Sequence, residues 1–229
     1  VLVEVNLANL TIKLITTRQE FTNDVISSLR HDILLRLKNP SLQSRIKEAI
    51  QDVLSQSLKQ QPEYIDMVAH DGVLRAELGV VDSESSMNSL VEDWVSSVSV
   101  SIRPPILIGN KLKGKIISIR AIQADYEDVL DKLYASYTTE KGVQINWLQW
   151  LLTAGVKIMV KEHLAIKPRN GTNKSRTETN TIMVKTHGKG WGVPPEYSGT
   201  LRNNFATRAV IEAIPKIEQV FIAEFSRNF

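Results

Sequence analysis

Four histidines are the side chains best suited to proton transfer or metal binding near neutral pH, and their placement argues against both. His31, His70, His163 and His187 stand apart in the chain, and no H-E-x-x-H spacing puts two imidazoles on one helix face, so no metal site is expected. His70-Asp71 sets a base beside a carboxylate, but no G-x-S-x-G elbow offers the nucleophile that such a pair would activate. Gly188-Lys189-Gly190-Trp191-Gly192 alternates glycines without the G-x-x-x-x-G-K-[ST] order of a phosphate loop. It reads as a tight turn with Trp191 exposed between glycines. Asp125, Glu127, Asp128 and Asp131 crowd one helical stretch, with Lys132 four residues after Asp128, which is the pattern of a solvated helix face with an i,i+4 ion pair. No cofactor is called for, and the chain is expected not to be an enzyme.

The remaining candidate chemistry is charge. Residues 1–100 hold 9 Lys+Arg against 14 Asp+Glu, whereas residues 101–229 hold 19 against 11, so the net charge of +3 divides into −5 and +8. Between Gly155 and Gly192 lie Lys157, Lys161, Lys167, Arg169, Lys174, Arg176, Lys185 and Lys189, facing only Glu162 and Glu178. Arg169, Lys174 and Arg176 sit among Asn, Thr, Ser and Gly, a composition able to follow a phosphate backbone; with Lys167 they are the candidate DNA contacts. Arg169, Lys174, Arg176, Lys189, Trp191 and Tyr197 form the candidate subunit or partner interface, with Trp191 as an aromatic anchor. An acidic front and a basic back also suit copies of one chain meeting head to flank.

The elements that must position these residues are mixed. Thr17 to Glu20 is a T-x-x-E capping box, followed by Phe21, Val25, Leu29, Ile33 and Leu37 as one apolar stripe of a helix. Asn39-Pro40 ends that helix and opens a second, with Leu42, Ile46, Ile50, Val53 and Leu54 at helical spacing, and the two read as a helical hairpin. Gln61-Pro62 breaks the second helix into a turn; Leu74 to Leu78 is a short helix stopped by Gly79; Asp82 opens another through Met87, Leu90, Val91, Trp94 and Val95. Val98, Val100 and Ile102 then alternate with polar residues as a strand that should lie at an edge or end at Pro104-Pro105.

Further strand is expected at Ile106 to Ile108 and Lys115 to Ile122, and helix at Tyr126 to Tyr134 and Trp147 to Thr153. Val156 to Val160 and Thr181 to Lys185 read as partner strands around the polar stretch Pro168 to Asn180, either a long connection or a flexible loop. From Leu201 onward the pattern is helical, kinked or restarted at Pro215. The fold class is α+β: a helical N-terminal region over 1–97, then an α+β region over 98–229 with a small mixed or antiparallel sheet, the basic loop and a long C-terminal helix, together forming one compact unit.

Composition narrows the function classes. With 229 residues and 42% hydrophobic content the chain can bury a real core, and no apolar run approaches the roughly 20 residues of a membrane span. The absence of cysteine excludes disulfides, thiol catalysis and thiolate metal sites, and suits a reducing cytoplasm. Val1 is not followed by a basic segment and an apolar run, so no secretory signal is expected.

One stretch carries a resemblance. Trp147-Leu148-Gln149-Trp150-Leu151-Leu152-Thr153-Ala154-Gly155, Ser175-Arg176-Thr177, Ile182-Met183, Trp191-Gly192-Val193-Pro194-Pro195-Glu196-Tyr197-Ser198-Gly199-Thr200 and Asn203-Asn204-Phe205-Ala206-Thr207-Arg208-Ala209 resemble, in order, virion neck or tail-completion proteins of large contractile-tailed bacteriophages. Leu74 to Gly79 and Met87 to Trp94 resemble them more weakly. The resemblance implies a structural role in the head-to-tail connector, as a homo-oligomeric ring of six or twelve copies around the DNA channel. Its partners would be neighbouring neck, portal-side and tail proteins, with nonspecific DNA contact and no membrane, and its location the virion neck after assembly in the host cytoplasm. The alternative is a nonspecific DNA-binding or packaging-associated module using the basic C-terminal half.

Overall fold

The computed structural model describes residues 17–102, 106–108, 111–113, 117–120, 126–155, 158–167 and 181–227. They form an α+β fold: helices through the N-terminal part, small antiparallel sheets, and a long C-terminal helix. By proximity the chain divides into two compact units, one of residues 1–46 and 100–119, the other of 47–99 and 120–229.

In the first unit, α1 (Arg18–Leu37) begins at a complete capping box. Glu20 N donates to Thr17 Oγ1 at 3.2 Å, and Thr17 N donates back to Glu20 Oε2 at 2.8 Å. The expected apolar stripe is on the helix, but it is not buried as a packed hairpin would bury it. Phe21, Val25 and Leu29 are each close to half exposed, and only Leu37 at the helix end is buried. Asn39 closes the junction as expected, its Oδ1 accepting from Ser41 N at 2.9 Å, and α2 (Pro40–Lys59) starts on the proline. The strands of this unit are β1 (Ser99–Ile102), β2 (Ile106–Ile108), β3 (Lys111–Lys113) and β4 (Ile117–Arg120). β2 pairs with β3 in antiparallel register, Leu107 opposite Leu112, and β1 pairs with β4. β3 was not expected from the lysine-rich sequence. Pro104-Pro105 lies outside the described residues.

The second unit holds most of the core. Ile50, Leu54 and Leu58 of α2 are buried, and α3 (Pro62–Val68) follows where a turn is expected, because Pro62 occupies the first helical position, where its missing N–H costs nothing. α4 (Val73–Leu78) ends at Gly79 with φ 71, the left-handed cap expected of it. α5 (Ser83–Ser96) buries Met87, Leu90, Val91 and Trp94. The helix expected over Tyr126 to Tyr134 is instead a short α6 (Glu127–Leu130) and a separate 3-10 turn, Leu133–Ala135. That break leaves Leu133 97% exposed, and Lys132 turns to Asp93 (3.8 Å).

β5 (Tyr137–Thr138) and β6 (Gln144–Ile145) form a small hairpin leading to α7 (Trp147–Leu152), whose Trp147, Leu148, Leu151 and Leu152 are buried. β7 (Ile158–Ile166) and β8 (Ile182–Gly192) pair antiparallel, and β8 runs well beyond the expected Lys185. α8 (Phe205–Ser226) passes unbroken through Pro215, so the helix does not restart there. Ile211 and Ile214 are half exposed or more, so the carbonyl that the proline leaves without a donor lies on the solvated side of the helix.

Candidate functional site

The paired strands β7 and β8 carry the described part of the basic segment. Ile166 faces Ile182, Leu164 faces Val184, Ala165 faces Met183 and His163 faces Lys185. Since side chains alternate across a strand, Leu164, Ile166, Ile182 and Val184 share one apolar face, while His163, Met183 and Lys185 share the other. Lys161, Lys167, Lys185 and Lys189 are all exposed. Among the described residues β7 and β8 pair only with each other, leaving an unpaired edge on each strand.

The ladder shifts register at two places, between Ile158 and Val160 and, more widely, between Lys161 and His163. Lys161 pairs with Gly190 and His163 with Lys185, so Glu162 alone stands opposite residues 186–189 of β8. Glu162, with φ 57, and Gly188, with φ 71, are both left-handed and both lie in the stretch that the ladder leaves unpaired. The glycines read as a tight turn therefore form a bulge within a strand. The consequence for Trp191 is a correction: it is not in an exposed turn but on β8, 5% exposed, because the bulge lets the strand continue into the core.

Three segments distant in sequence meet at the base of these strands. Trp191 lies against Trp150 of α7, ring centroids 6.0 Å apart, and its Nε1 donates to Oε2 of Glu77 on α4 at 2.8 Å. Gly155 N donates to Gly199 O at 3.1 Å, and Ala154 bridges to Thr200. A Cβ on Gly199 would collide with the carbonyl oxygen of Leu151, and one on Gly155 would lie 2.6 Å from Gly199 N. Asn204, fully buried, caps α8 by accepting from Thr207 N at 3.0 Å and donates to the carbonyls of Leu152 and Thr200, each at 3.0 Å. The hydroxyl of Tyr126 completes this cluster at 3.1 Å from Asn204 Oδ1. Burial raises the Tyr126 pKa, while the Asn204 hydrogen bond opposes the shift.

An ion pair ties α8 to α3: Arg208 Nη2 donates to Glu63 Oε1, with Glu63 fully buried and Arg208 31% exposed. Beside it, Gln61 Nε2 donates to Glu212 Oε2 at 2.8 Å. Tyr197, in the turn after β8, is partly buried. Its phenol pKa is raised by that burial and further by the carboxylates of Asp66, Glu196, Glu63 and Glu77.

The candidate residues thus separate. Lys167 and Lys189 lie exposed on the paired strands, Trp191 is core, and Tyr197 lies in the turn beyond β8. Arg169, Lys174 and Arg176, with the rest of the polar stretch, lie outside the described residues. The sequence does not single out Glu77 or Glu63, and it places Leu133 only in a helical stripe. Only Arg208, an arginine within an otherwise apolar helical run, hinted at a buried acid to receive it. Among the described residues no group of three or more His, Asp or Glu could hold a metal ion, and no helix is long and apolar enough to cross a membrane. The arrangement offers a surface for binding: a two-stranded arm with a basic exposure, rooted in a tightly packed junction. No protein-family model matches the chain, and neither does any curated protein or solved structure.

Proposed function

We propose that the chain is a noncatalytic structural subunit of a phage neck, joining capsid and tail as a homo-oligomeric ring of six or twelve copies around the DNA channel. The observation that carries this reading is the convergence of segments 147–155, 191–200 and 203–209, the ones that resemble neck or tail-completion proteins, on the single junction that roots the β7–β8 arm. Those segments anchor the arm, and the arm itself presents unpaired strand edges and four exposed lysines. Such a division suits a part whose work is contact with neighbours. Its partners are copies of itself and the adjoining neck, portal-side and tail proteins, and its place is the virion. Negative-stain images and native mass of the purified protein should give closed rings of fixed copy number, and particles lacking it should accumulate as unjoined heads and tails. A strictly monomeric protein absent from purified virions overturns the reading.

A second reading is favoured by the exposed Lys161, Lys167, Lys185 and Lys189: nonspecific DNA binding, in the channel or during packaging. Affinity for duplex DNA should then fall steeply with salt, and removing Lys174 and Arg176 should lower the salt slope. Absence of binding at low ionic strength removes this reading.

A further inference from the structure

We propose that the β7–β8 arm of one copy docks on the acidic face around Leu133 of the next copy of the same chain. This deepens the reading of the chain as a self-assembling subunit and rests on it.

The receiving surface is built by the break after α6. Two open clefts, about 450 and 500 Å3, lie on either side of Leu133 and share it and Ser136 in their walls. Leu133 is 97% exposed, and Val81 in the second cleft is 45% exposed. A leucine held out on a 3-10 turn, where the neighbouring Ala135 is buried, is an apolar knob without a cover in the single chain. Acids surround it: Glu127 and Asp131 line the first cleft, Asp82 and Glu140 the second, and all four are exposed. Lys132 is the one base in either lining, and it leans toward Asp93.

The arm is complementary in both respects. It exposes Lys161, Lys167, Lys185 and Lys189 against the single acid Glu162, and on the face that carries Lys185 it also exposes the apolar Met183 (39%). Basic and apolar groups on one surface meet acidic and apolar groups on the other, so the opposite charges fix the register while the apolar groups supply the buried area. Each copy offers both surfaces, and they are different surfaces, so the contact is heterologous and propagates from copy to copy until a ring closes. Charge complementarity within one sequence is what selects a second copy as the occupant.

The test uses the full chain and two charge-reversed variants. One carries Lys185→Glu with Lys189→Glu on the arm, the other Asp131→Lys with Glu140→Lys at the clefts. All four positions are exposed, and circular dichroism with thermal melts checks that both variants fold. Sedimentation velocity of the unaltered chain should show self-association that weakens at least tenfold between 0.05 and 0.5 M salt. Each variant alone should associate at least tenfold more weakly. An equimolar mixture should recover association, because each variant then meets a surface of opposite charge. Leu133→Asp should weaken association at every salt concentration. Variants that assemble like the unaltered chain, or a mixture that recovers nothing, overturn the proposal. The neck reading fails separately: rings that persist in both variants leave it standing and remove only this contact. Charge-swapped recovery by a protein absent from virions keeps the contact and removes the neck.

Discussion

The indole of Trp191 donates to the Glu77 carboxylate at 2.8 Å across 114 residues of sequence. This contact joins the end of β8 to α4, and Trp150 packs against the same ring. Trp191→Ala should cost about 3–5 kcal/mol, as expected for an emptied aromatic site, and thermal stability should fall together with assembly. Trp191→Phe keeps an aromatic ring but removes the donor to Glu77 and part of the buried ring volume, for a smaller loss of about 1–3 kcal/mol. Urea denaturation measures both; a Trp191→Ala protein that melts normally but fails to assemble would put the tryptophan at an interface instead.

Gly199→Ala should be among the most damaging single-methyl changes in the chain, since the added carbon meets the Leu151 carbonyl and the backbone of α7 has to move. A loss of about 3 kcal/mol or failure to fold is expected. Gly142→Ala, where φ is +77 but no atom lies within 4 Å of the added carbon, should cost only about 1 kcal/mol of backbone strain. Comparing the two melts separates crowding from conformational strain.

Arg208→Met leaves Glu63 buried without its cation and should destabilise by about 3 kcal/mol, the low end for a buried pair because Arg208 is partly exposed. Adding Glu63→Gln should recover part of the loss. A double-mutant cycle with no coupling would show that the pair is not formed in solution.

Alkaline pH should unfold the second unit. Burial raises the phenol pKa of Tyr64, Tyr126, Tyr134 and Tyr197, with carboxylates adding to the effect at Tyr64, Tyr134 and Tyr197. A raised folded-state pKa means that the stabilisation is fully present below the ordinary value of 10 and is lost as pH rises from there through the folded values. Absorbance at phenolate wavelengths should therefore rise late and cooperatively with loss of ellipticity. A gradual rise centred at the ordinary value, with ellipticity unchanged, would contradict it.

Acid should act first on α1. The Glu20 carboxyl is held below its ordinary pKa, chiefly by the backbone N–H of Thr17 and then by its hydroxyl. A lowered folded-state pKa gives a contribution present above the ordinary value and lost as pH falls through the depressed one. Helix content should drop over that window in the unaltered chain and much less in Glu20→Gln, which keeps the hydrogen bonds without the charge. Equal drops in both would assign the acid effect elsewhere.

Much of the local structure was legible in sequence because it is set by neighbours. Thr17 with Glu20, Asn39 with Pro40, and Gly79 each act within a few residues, and each forms the cap expected of it. The burial of Trp147, Leu151 and Leu152 likewise follows from helical spacing. The misreadings come from longer range. Nothing near Trp191 announces Glu77 or Trp150 as its partners, so its glycine neighbours suggested a turn when they serve a bulge. Leu133 fits a helical stripe by spacing, but the backbone changes course after Leu130 and turns it outward. Phe21, Val25 and Leu29 show the limit of periodicity, which finds an apolar face but not what covers it.

The pairing of β7 with β8 also determines how a mechanical load would travel. Both strands leave the same junction, at Gly155 and at Trp191, and extend side by side to Ile166 and Ile182. A pull at those distal ends is shared by two covalent backbones in parallel, so the hydrogen bonds between them are not peeled apart one by one. The Gly155–Gly199 contact and the Asn204 cap lie at the root of that shared path, where α7 and α8 meet the strands.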